Sequence, residues 1–78
     1  MGTRSDLKAA GEVIRQIRRA KGIHTRTLAD QVQISYQHMA NIENGHKRAS
    51  IEVLNRIAIA LEVPVDEIST AEPTGIPA

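Results

Sequence analysis

Apolar residues recur along this chain at helical spacing almost without a break, and no stretch alternates apolar and polar residues with the period of two that a half-buried strand needs. That pattern restricts the chain to an all-α fold. Val13, Ile14, Ile17 and Ala20 form an apolar stripe on a first helix of roughly residues 7–21, closed by Gly22 and the apolar Ile23 as a glycine C-cap. A short second helix, Thr25 to Val32, sets Leu28, Ala29 and Val32 on one face. Ser35 caps a third helix with Met39 and Ile42 turned inward and Asn44-Gly45 as its stop. Ser50 caps a fourth, carrying Ile51, Val53, Leu54, Ile57, Ala58 and Leu61, and Pro64 with Asp66 and Glu67 opens a short fifth that ends near Ile68.

A chain of 78 residues holds one domain with a modest core, whose stability is limited unless it pairs with itself or a partner. The expected organisation is a flexible N-terminal arm over residues 1–6, a five-helix domain over 7–69 and a flexible tail over 70–78, a stretch containing two prolines and a glycine. The absence of cysteine excludes disulfides and thiolate metal sites, and His24, His38 and His46 match no common ligand spacing, so neither a metal nor a cofactor is expected. Met1 to Asp6 is polar and no run approaches the roughly 20 apolar residues that span a bilayer, which leads to the expectation of a cytoplasmic protein, bacterial or encoded by a phage or plasmid. With no nucleophile–base pair and no glycine-rich phosphate loop, an enzyme is not expected.

Charge is distributed unevenly. Residues 1–48 carry nine Lys/Arg against four Asp/Glu, a net of +5, whereas residues 49–78 carry one against five, a net of −4. A basic front and an acidic back suit a polyanion bound by the first half and avoided by the second.

Within Thr25 to Ile42 lie the parts of two helices joined by a tight turn: Ala29 as the small contact residue, and Leu28, Val32, Ile34, Met39 and Ile42 as apolar locks. The run Leu28-Ala29, Val32, Ile34-Ser35, Met39, Ile42-Glu43-Asn44-Gly45 resembles the signature of the lambda-repressor-like (Cro-type, XRE) helix-turn-helix family. It is preceded by Ile14 to Arg18 and followed by Leu54, Ile57-Ala58, Leu61 and Val65 to Ile68, so the resemblance spans roughly residues 11–69. Two features depart from the family pattern. Gln33 stands where the turn usually has glycine, and His24-Thr25-Arg26-Thr27 replaces the usual Ser-Gln-x-Glu, which removes the reciprocal capping box.

The resemblance implies a sequence-specific regulator of transcription, of repressor or controller type, that binds double-stranded DNA with its third helix in the major groove. By position in the motif, Tyr36, Gln37 and Asn41 are the expected base-reading residues, and the amides of Gln37 and Asn41 match the donor–acceptor edge of adenine. Thr25, Arg26, Ser35, Asn44, Lys47 and Arg48 are the expected phosphate contacts, and His38 is either solvated or phosphate-adjacent. Arg18 and Glu43 are assigned to a structural ion pair tying the first helix to the third. A homodimer on a palindromic operator is expected, with Asn55, Ile59, Glu62, Val63 and Ile68 as the candidate interface. The competing expectation is a protein-interaction module or antitoxin-like protein whose partner protein binds the face of the fourth and fifth helices.

Overall fold

The computed structural model describes the backbone of residues 3–68 and the side chains of residues 7–68. Five helices follow one another: α1 (Thr3–Ala20), α2 (Thr25–Val32), α3 (Tyr36–Glu43), α4 (Ile51–Leu61) and α5 (Val65–Ile68). No strand occurs among the described residues. Helices α2 to α5 fall where apolar spacing and caps put them. By contrast, α1 begins at Thr3 rather than near Leu7, so residues 3–6, expected in a flexible arm, are helical. That segment holds no glycine or proline to stop a helix, and Asp6 suits a first turn. Residues 1–2 of the expected arm and the tail expected over 70–78 lie outside the described residues.

Every helix contributes to one core. Ile14 comes from α1, Leu28, Ala29 and Val32 from α2, Met39 and Ile42 from α3, Ile57, Ala58 and Leu61 from α4, and Ile68 from α5. Helix α2 packs on α3 and α4, α1 packs on α3 and α5, and α5 also packs on α4. Ala20, expected on the apolar stripe of α1, is exposed instead. The helix ends there, and Ile23 beyond the turn packs against the core. Ile68, expected at a dimer interface, is fully buried within the domain and cannot meet a partner without unfolding α5.

A glycine inside α1 sets how close α1 lies to α3. A Cβ on Gly11 would collide with the carbonyl oxygens of Ile42 and Glu43, so α1 rides directly on the C-terminal backbone of α3. No other residue type permits that approach.

The first four helices stop in the same way. After each, one residue takes the left-handed conformation: Gly22 at φ 70°, Gln33 at 68°, Gly45 at 80° and Glu62 at 60°. Its N–H and that of the following residue turn back to bond carbonyls of the last turn, at 2.8–3.1 Å in all four cases. Each is a Schellman stop, which satisfies carbonyls that the helix leaves without partners. The residue that follows is Ile23, Ile34, His46 or Val63, and the three apolar ones pack against the core. Gln33 and Glu62 hold this conformation although a side chain there costs about 1 kcal/mol or slightly more.

The side chain of Arg56 completes the α2–α4 contact. Its Nη1 donates to the Val32 carbonyl oxygen at 3.3 Å, near the end of α2, while Nη2 donates to Glu52 at 3.3 Å. Among the described residues no helix is long and apolar enough to cross a membrane.

These stops yield opposite expectations for two kinds of substitution. Gln33→Gly and Glu62→Gly, both at exposed positions, each raise the free energy of unfolding by about 0.5–1 kcal/mol. Gly11→Ala lowers it by about 1–3 kcal/mol through backbone displacement. Urea unfolding followed by circular dichroism measures all three, and a destabilised Gln33→Gly contradicts the strain assigned to the turn.

Candidate nucleic-acid interface

Helix α3 is held from below before it offers anything outward. Arg18 reaches across from α1 with Nε 2.8 Å from Glu43 Oε2 and Nη2 3.1 Å from Oε1, a two-pronged contact. Both side chains are largely removed from water, at 11% and 5% exposure, so the pair is not weakened as a surface pair is. The remaining nitrogen, Nη1, donates to the Ile23 carbonyl oxygen at 2.7 Å, and the Thr25 hydroxyl lies 3.5 Å from Glu43 Oε1. One guanidinium thus joins α1, the turn into α2 and the last residue of α3.

Arg15 makes a second tie from the same face of α1. Its Nη2 donates to Asn44 Oδ1 at 2.6 Å and to the Glu43 carbonyl oxygen at 3.4 Å, and its Nη1 lies 3.5 Å from Glu12. By residue type Arg15 is indistinguishable from a solvated cation, but its place three residues before Arg18 puts both on the face of α1 that meets the end of α3.

Outward, the start of α3 is organised by Ser35, whose side-chain oxygen accepts from the His38 N–H at 3.0 Å. Tyr36 and Gln37 are exposed and His38, Ala40 and Asn41 are half-buried, while Met39 and Ile42 face the core. Gln37 Nε2 donates to Asn41 Oδ1 at 3.3 Å, so the two amides, one turn apart, form a joined polar surface. Arg26, the second residue of α2, lies over the Tyr36 ring, its Cζ 5.2 Å from the ring centre.

The remaining expected contacts are distributed as follows. Thr25 is half-buried beside Glu43, and Ser35, Asn44, Lys47 and Arg48 are exposed around the two ends of α3. Asn44 uses its side-chain oxygen on Arg15, which leaves the amide nitrogen to donate outward. A polar cleft of about 540 Å³ lies between α1 and the loop after α3, lined by Lys8, Glu12, Arg15, Asn44 and His46. Away from α3, Asn55, Ile59 and Glu62 are exposed and Val63 is half-buried. Ile51, which was not among the expected interface residues, is 74% exposed, and Ile59 is 75% exposed. With Asn55 they form a stripe at four-residue intervals along α4, and Ile51 and Asn55 also line an apolar cleft of about 330 Å³ with Leu7, Leu54 and Val65.

Comparison with known proteins agrees with this arrangement. Residues 14–68 match the family model described as helix-turn-helix. The transcriptional regulator ClgR of Mycobacterium tuberculosis is 31% identical over 61 residues, which cover 78% of this chain and 54% of that protein. The HTH-type transcriptional regulator SlrR of Bacillus subtilis is 33% identical over 63 residues, covering 80% and 41%. The chain spans about half the length of the curated relatives it matches. Among solved structures, the restriction-modification controller protein C.AhdI from Aeromonas hydrophila superposes with a TM-score of 0.80 at 28% identity, over 82% of this chain and 97% of that one. The clp gene regulator ClgR from Corynebacterium glutamicum gives a TM-score of 0.80 at 29% identity, over 85% and 70%.

The tie beneath α3 has a measurable signature. Glu43→Ala leaves the Arg18 charge largely buried and unpaired and costs about 3 kcal/mol or more of stability. Replacing both partners, Arg18→Met with Glu43→Leu, recovers most of that loss because no buried charge remains. Denaturant midpoints of the single and double variants measure the coupling. A double variant no more stable than Glu43→Ala contradicts it.

Proposed function

The chain belongs to the lambda-repressor-like helix-turn-helix family, and from that premise we propose that it is a sequence-specific regulator of transcription that binds double-stranded DNA with α3 in the major groove. The observation that carries the proposal is the outer surface of α3. Tyr36 and Gln37 open the second helix of the motif and Asn41 stands one turn further along the same outer surface, where side chains meet base edges. The linked amides of Gln37 and Asn41 keep donors and an acceptor available toward solvent and suit an adenine edge. Lys47 and the Asn44 amide after α3, with Ser35 and Thr25 at the starts of α3 and α2, supply phosphate contacts that fix register without reading sequence. Arg48 adds a cation at the same end.

A palindromic operator calls for a two-fold protein, and the α4 stripe supports one. Two copies packed antiparallel through α4 about a dyad at Asn55 set Ile51 of one beside Ile59 of the other and cover the exposed apolar side chains of both. The interface is therefore Ile51, Asn55 and Ile59, with Glu62 and Val63 at its edge. Ile68 has no part in it.

Gln37→Ala and Asn41→Ala each relax preference at one base position by about 1–3 kcal/mol. Lys47→Ala weakens binding to all sequences alike and reduces the slope of log affinity against log salt by about one. Fluorescence anisotropy on matched and mismatched duplexes over a range of salt separates the two classes, and unchanged specificity in both α3 variants contradicts the base-reading role. Ile59→Glu shifts the sedimentation equilibrium toward monomer. Wild-type protein that forms a tight complex with another protein while binding duplex weakly and without salt dependence favours a protein-interaction module instead.

A further inference from the structure

Arg26 differs from the cations that hold the fold together. Arg15, Arg18 and Arg56 each direct their guanidinium nitrogens to protein oxygens. Arg26 makes no such bond with the described residues. Its contact is a cation–π one with Tyr36, the guanidinium carbon lying over the ring at 5.2 Å from its centre. Both residues are exposed, one near the start of α2 and the other at the start of α3. The ring therefore constrains the guanidinium without consuming any of its five N–H donors.

A contact of this kind matters for one class of ligand more than another. A phosphate accepts either a point charge or a guanidinium fork and from many directions, whereas a base edge needs the fork held in one orientation. The major-groove edge that accepts such a fork is guanine, through O6 and N7. We infer that Arg26, rather than contacting phosphate, reads a guanine in each half-site, with the Tyr36 ring as the platform that orients it. The sequence preference of the domain then includes a base specified from α2, beside those specified from α3. This inference rests on the DNA-binding function proposed above.

The test is selection of bound duplexes from a random pool by the full chain and by Arg26→Lys, Arg26→Ala, Tyr36→Leu and Tyr36→Phe, each checked for folding by circular dichroism, followed by affinity for the selected and mismatched duplexes over a range of salt. The wild-type consensus contains a guanine whose preference over other bases falls about 10-fold or more in Arg26→Lys, which keeps the charge and loses the fork. The same guanine preference falls in Tyr36→Leu, although Arg26 is still present, and is retained in Tyr36→Phe, which keeps the ring. The salt dependence of Arg26→Lys stays that of the wild type. A consensus unaltered by Arg26→Lys overturns the guanine assignment alone. So does an Arg26→Ala variant that weakens all duplexes alike with a shallower salt slope, the behaviour of a phosphate contact. A wild-type protein that enriches no duplex overturns this inference and the DNA-binding function together.

Discussion

The Arg18–Glu43 pair is the contact on which the rest of the arrangement depends. A helix of eight residues such as α3 is too short to persist alone in water, so its position comes from what it is fastened to. Met39 and Ile42 fasten it through apolar burial, which is strong but not directional. The guanidinium–carboxylate contact supplies direction: both carboxylate oxygens are engaged from α1, and the same guanidinium holds the Ile23 carbonyl at the turn into α2. Burial of such a pair does not by itself add stability. What it fixes here is the angle at which the outer face of α3 is offered.

Around that tie the chain repeats one economical solution. Four left-handed stops let four helices turn within a few residues and return toward the core, and Ser35 and Ser50 begin the helices that follow two of the loops. Gly11 removes the side chain that would hold α1 away from α3, so that Arg15 and Arg18 both reach the end of α3. Backbone conformation and ion pairing thus serve the same purpose, a short helix held rigidly with its polar face outward. In the same molecule, Ile51 and Ile59 remain exposed on α4, the surface proposed above to meet a second copy.

Much of this was legible in the sequence because it depends on local chemistry. Apolar spacing located α2 to α4, serine hydroxyls marked two helix starts, and Gly22 and Gly45 marked two stops. The resemblance to a known family pointed to Gln33 as the unusual turn residue and paired Arg18 with Glu43. What escaped the sequence depends on distant partners. Glu62 carries no glycine-like sign of its left-handed conformation, and Gly11 reads as an ordinary weak helix residue until α3 is seen beside it. Arg15 and Arg56 look like ordinary helix-surface cations until their acceptors are known, and Asn44, expected at phosphate, shows no sign in the sequence that its side-chain oxygen accepts from Arg15. Ile68 was misplaced because a short apolar helix end looks the same whether it faces the core or a partner, and Ile51 was missed because α4 is apolar on nearly all sides.

The central claim is that α3 enters the major groove, and methylation protection tests it most directly. Dimethyl sulfate modifies guanine at N7, which lies in the major groove, and adenine at N3, which lies in the minor groove. On a duplex recovered by selection, insertion of α3 from two copies leaves guanine N7 protected in two patches about one helical turn apart, with adenine N3 in the same patches reactive. Protection confined to adenine N3, or no protection of guanine N7 at saturating protein, contradicts major-groove reading by this helix.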